Sequence, residues 1–149
     1  MKNMFFRKVL YGISILALLL TVIGVVILPY LANWYSGYTG GEGVATETFV
    51  FIYATIIPFL AILLSVIKLS KNLLNDKGFS RDNLKSLKII SIGALIDFII
   101  YLIGTTFIFR NLVCFVLSCA TLMVFIMSYV IKELISNGIE LQDENDLTI

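Results

Sequence analysis

The chain contains no histidine, only two cysteines and two prolines, and charged residues fill 14% of its 149 positions. Each shortage excludes something. Without histidine the commonest general base and transition-metal ligand is missing. Cys114 and Cys119 lie five residues apart, which on a helix turns them about 140° from each other, so they make neither a CxxC redox pair nor half of a zinc site. The sequence holds no Ser-His-Asp set, phosphate-cradling glycine loop or metalloprotease helix. No enzyme, metal or other cofactor is therefore expected. A soluble domain carries about 25% charged residues, and this chain falls far below that.

Apolar residues fill the space instead, at 59% of the chain and a mean hydropathy of +0.98. They gather in runs over residues 9–31, 48–67, 89–109 and 112–131. Each run is about 20 residues long, which at ~1.5 Å per helical residue covers a hydrocarbon core of ~30 Å. The first is longer than the ~7 to 15 residues of a signal-peptide apolar region, and no small-residue cleavage site follows "LPYLANW". It reads as a retained span. The expectation is an all-α fold, a single integral membrane domain built as a four-helix transmembrane bundle in the lipid bilayer.

Lys and Arg mark cytoplasmic flanks. Lys2, Arg7 and Lys8 precede the first span, and Lys68, Lys71, Lys77, Arg81, Lys85 and Lys88 lie between the second and third. The segment joining spans one and two has none, and Arg110 alone falls in the last hairpin turn. Both termini, the loop 68–88 and the tail 132–149 are thus expected on the cytoplasmic side. That loop is net +4, six basic side chains against Asp76 and Asp82, whereas the tail is net −4, Lys132 against Glu133, Glu140, Asp143, Glu144 and Asp146.

Several local expectations follow. Span one should end near Pro29, and the segment after it, with four glycines from Gly37 to Gly43, should be a flexible turn carrying Trp34, Tyr35 and Tyr38 at headgroup level. Pro58 should kink span two. Asn75, Asp76 and Gly78 mark a break between two helical extensions, with Ser80 as N-cap of the next helix. Spans three and four should form an antiparallel hairpin about Arg110 and Asn111. The tail should break at Asn137 and Gly138.

Asp97 is the residue at odds with its surroundings. A carboxylate at the bilayer centre costs ~2.5 to 3.5 kcal/mol on insertion scales, so it should face protein or water. Gly93, Asp97, Ile100 and Gly104 share a helical stripe about 60° wide, and small residues on one stripe allow close helix approach. Span four offers Cys114, Ser118, Thr121, Phe125 and Ser128, with Thr121 within a turn of the level of Asp97. Asp97 with Ser118 and Thr121 forms an intramembrane polar set, readable as a proton or cation site or as a clamp between helices.

The positive-inside bias explains the basic loop but not an acidic tail on the same face. In the tail, Ile139, Leu141, Leu147 and Ile149 are interleaved with acids, as in segments that order on binding. It is open to docking on the basic loop, to docking on a basic cytoplasmic partner, or to remaining solvated.

Over essentially its full length, and most specifically in "GFSRDNLKSLK" before span three and in the closing "ELQDENDLTI", the chain resembles the bacterial membrane family catalogued as domain of unknown function 2975. The resemblance implies a small four-span protein of the bacterial plasma membrane. It also implies a gene neighbour encoding a small helix-turn-helix regulator, whose DNA-binding face would be basic. The expectation is a non-enzymatic regulatory membrane protein that modulates such a regulator without itself binding nucleic acid. Glu140, Asp143, Glu144, Asp146, Leu147 and Ile149 would dock the partner, and Phe79, Ser80, Arg81 and Asn83 would shape the opposing loop. The alternative is a small transporter or bacteriocin-type immunity protein that uses Asp97.

Overall fold

A computed structural model describes residues 2–40 and 43–147. Four helices, α1 (Lys2–Thr39), α2 (Thr46–Leu74), α3 (Arg81–Ile103) and α4 (Leu112–Leu147), account for nearly all of them. All four are long and apolar enough to cross a membrane. Packing follows chain order, α1 on α2, α2 on α3 and, most extensively, α3 on α4. The start of α1, the end of α4 and the α2–α3 turn share one end of the bundle, where Arg7 of α1 forms an ion pair with Asp76 and Phe79 lies on Gly138.

Two expected breaks are absent. α1 does not stop near Pro29 but runs on to Thr39. A proline inside a helix leaves the carbonyl four residues earlier without its donor, and here the Tyr53 hydroxyl of α2 donates to that group, Val25 O, at 3.2 Å. The freed acceptor is satisfied across the helix pair, which lets transmembrane helices retain a proline. Trp34 and Tyr38 consequently stack on the helix surface, centroids 5.9 Å apart, one turn from each other. The connection to α2 shrinks to a few residues after Gly40, whose φ is +64°. α4 likewise runs through Asn137 and Gly138 to Leu147, and Pro58 lies within the unbroken α2.

The bundle interior is polar. Among the described residues ten buried side chains are polar or charged and five are hydrophobic, the reverse of a soluble core, because lipid already solvates the apolar surface and helix association relies on close packing and hydrogen bonds. α3 and the first residue after it present glycines to α2. A Cβ added at Gly93 would lie 2.9 Å from Ile62, and one at Gly104 would lie 2.6 Å from the Phe51 ring. Toward α4 it presents serine: Ser91 and Ser128 share a hydrogen bond of 2.8 Å.

The two turns on either side of α3 are built differently. After Ile103 the chain makes a π turn over Gly104–Ile108, closed by Phe109 N donating to Gly104 O at 2.8 Å. Arg110 then reverses direction at φ 47°. Asn111 Oδ1 accepts from Cys114 N at 2.9 Å and so caps α4, giving the hairpin expected at these residues. At the other turn, Lys77 N donates to Asn72 O at 2.9 Å and Asp76 N to Leu73 O at 3.3 Å. With Asp76 left-handed at φ 56°, this is a Schellman closure. The buried Asn83 side chain ties that turn to α3, accepting from Asn72 Nδ2 at 2.7 Å and donating to Lys77 O at 2.9 Å and Gly78 O at 2.7 Å.

Tyr53→Phe removes one hydrogen bond and should cost about 1 kcal/mol, whereas Asn83→Ala removes three and strands buried partners, for about 2–3 kcal/mol. Thermal unfolding of both variants in the same detergent should place the Asn83 variant clearly lower. Equal midpoints would contradict the role assigned to Asn83.

Candidate functional site

Two places bring the sequence-selected residues together. The first is the junction of the α2–α3 turn with the extension of α4. Residues 112–131 suffice to cross the hydrocarbon, so the rest of α4 projects roughly 24 Å beyond it at ~1.5 Å per residue. The projection continues through Gly138 because a neighbour needs the space: a Cβ there would lie 2.7 Å from two atoms of the Phe79 ring. Arg81 Nη2 and Asp143 Oδ2 stand 3.5 Å apart beyond this contact. Beneath it, Leu10, Leu73, Asn83 and Ile135 line a small cavity to which all four helices contribute. Of the three courses open to the tail, the structure has it seated on the protein's own basic loop.

The seated face leaves the acids outward. At 100° per residue Glu133, Glu140 and Glu144 fall within about 40° of one another and roughly 120° to 180° from Gly138 and Ile135. Glu140, Asp143, Glu144, Asp146 and Leu147 are all exposed. Ile149 lies outside the described residues. Asn83 is not surface but a buried structural hub. Ser80 occupies the N-cap position with φ −132° and ψ 148°, yet its hydroxyl makes no capping bond, and its buried Oγ has no partner. The capping role expected of that hydroxyl is not realised, because Asn83 N is instead taken by the Ser80 carbonyl at 3.0 Å.

The second place is the α3–α4 seam around Asp97, which is 2% exposed. From the Ser91–Ser128 contact, the antiparallel register puts Asp97 at the level of residues 121–124, as the hairpin predicted. The expected hydroxyl clamp does not form, however. Thr121 donates to Leu117 O and Ser118 O at 3.0 Å, and Ser118 donates to Phe115 O at 2.7 Å. In a helix a hydroxyl finds its own preceding carbonyls at no conformational cost, so these groups are spent locally and Asp97 Oδ1 is left without a partner.

Sequence reasoning missed Gly138 as a packing site, Arg7 with Asp76, Asn72 with Asn83, and Ser91. The Ser91–Ser128 pair carried a usable signal, being small polar residues in apolar runs at similar distances from the hairpin turn. Gly138 carried one too, because Ile131, Ile135 and Ile139 keep helical spacing across it.

Four apolar helices around a polar seam, with a charged helical projection at one end, define a small multi-pass membrane protein. The chain belongs to the family described as protein of unknown function DUF2975, which matches residues 13–149. It is similar to the uncharacterized membrane protein YoaS of Bacillus subtilis (strain 168), at 26% identity over 152 residues, covering 95% of this chain and 92% of that protein. No solved structure matches it.

The Arg81–Asp143 pair is exposed, 82% and 60% at the two side chains, and such pairs contribute under about 1 kcal/mol. Tail seating should therefore depend on shape rather than on this charge pair. With spin labels at positions 77 and 142, Gly138→Leu should lengthen and broaden the distance distribution and Arg81→Ala should leave it unchanged. The opposite pattern would assign the seating to electrostatics.

Proposed function

We propose that this protein is a non-enzymatic regulator in the bacterial plasma membrane, with both termini in the cytoplasm, and that its C-terminal helix docks a basic cytoplasmic protein of the small helix-turn-helix class. The carrying observation is the geometry of the projection. Its Gly138 and Ile135 face is taken up by the protein itself, and Glu133, Glu140 and Glu144 point away from that face, with Asp143 at its edge beside Arg81. A helix held on one side loses little further freedom when its other side binds, so association costs less ordering entropy than for a loose peptide.

Two further arguments support the reading. The distribution of Lys and Arg along the sequence favours the end bearing the termini as the cytoplasmic one, which is where a soluble regulator would be met. A stripe of like charge also steers an oppositely charged partner toward the membrane surface. The class of partner rests on the family resemblance, and the mode of contact on acid against a basic DNA-binding face. Occupancy of that face by the helix would compete with DNA.

The adjacent regulator should co-purify with the full-length chain and be lost when the chain is cut after Gly138. Recovery should also fall steeply with rising salt, as screening of exposed charge requires. Equal recovery with both chains would overturn the proposal, as would labelling that places the C-terminal helix outside the cell.

A further inference from the structure

Asp97 combines three features that a structural clamp does not need. It is 2% exposed. One carboxyl oxygen has no partner, a condition shared among the described buried side chains only by Ser80 Oγ. The hydroxyls opposite it on α4, Ser118 and Thr121, are committed to their own backbone. An unpaired carboxylate in such a place carries the full desolvation cost of its charge, and one proton on the carboxyl removes that charge.

A cavity with polar residues in its lining approaches Asp97 along α3, whereas the space beside Gly93 and Ile96 is lined by apolar side chains. The former, of about 430 Å³, is lined by Thr48, Thr55, Tyr101, Asn111 and Cys114 among others. It starts at the N-terminal ends of α2 and α4, at the bundle end away from the termini, and reaches Tyr101, one turn along α3 from Asp97. In the other direction the seam is shut by Ala94, fully buried, by Ile90 and Leu87, and by the direct Ser91–Ser128 hydrogen bond.

We propose that Asp97 is an intramembrane proton-binding site reached from the end of the bundle opposite the termini, through the cavity bounded by Thr48, Asn111, Cys114, Thr55 and Tyr101. The titratable groups around it are few. Tyr101 lies on its own helix and Cys114 comes from α4. From α2 comes Thr55, which does not titrate, and the Tyr53 hydroxyl is engaged by Val25 O of α1. Among the described residues of α1, Thr21, Gly24, Val25, Leu28 and Leu31 line a space shared with Tyr101, and none of them titrates. A lone carboxyl with no second ionisable group beyond the closed seam binds a proton without relaying it across. The site stands independently of what the tail docks.

Full-length protein in lipid nanodiscs should show an infrared carbonyl band of a protonated carboxyl that is lost reversibly as pH rises and is missing from Asp97→Asn, a near-isosteric change. A band that persists at every pH, or the same spectra for both proteins, would overturn the proposal. Loss of the band on adding sodium at fixed pH would reassign the site to that ion and equally overturn it. In sealed vesicles of Cys119→Ser protein, a membrane-impermeant thiol reagent should modify Cys114 from the face opposite the termini. Modification from the terminal face, or none from either, would overturn the route.

Discussion

The hydrocarbon core of a bilayer offers no hydrogen bonds, and the structure depends on that constraint throughout. It requires each backbone polar group to be satisfied within the protein, hence four helices. It also dictates how irregularities are repaired: the Val25 carbonyl freed by Pro29 is answered by Tyr53 from the next helix, and Ser14, Thr21, Thr105 and Thr121 each return their hydroxyls to a carbonyl one turn back. Polar side chains collect between the helices for the same reason. Asp97 Oδ1, buried and unanswered, is the exception among the described spanning residues, and it draws its interest from that exception.

Outside the hydrocarbon the constraint lifts and the construction changes. The α2–α3 turn is held by a left-handed Asp76, the side chain of Asn83 and the ion pair from Arg7. The α4 projection is seated through the gap left by a missing side chain, Gly138, filled by Phe79. Charge decorates this junction more than it secures it, since Arg81 and Asp143 are both well exposed. The pair α3 and α4 thus carries the two candidate sites in succession, a buried carboxyl in the seam and an acidic face on the projection, separated by the Ser91–Ser128 hydrogen bond.

Much of the architecture was legible beforehand. Hydrophobic run length announces a span directly, and Arg110 with Asn111 between two such runs leaves the chain no option but a hairpin. The levels of Asp97 and Thr121 followed from that hairpin by counting residues. What failed were inferences from single residues. Pro29 and Gly138 were read as breaks, because in isolation proline and glycine weaken helices. Each was overruled by a circumstance that local sequence does not contain: a donor on α2 for the first and a ring from the α2–α3 turn for the second.

The sequence by itself determined the solvent of this protein, the number of its helices and their antiparallel order, since these depend on composition and on residues near one another in the chain. Only the tertiary structure decided which polar groups are spent and which are left over. Thr121 faces the level of Asp97 yet bonds its own helix, and Glu140 turns outward because Gly138 turns in. Hydrogen bonding and side-chain fit depend on ångström-scale distances between segments far apart in sequence, where spacing along the chain has no authority.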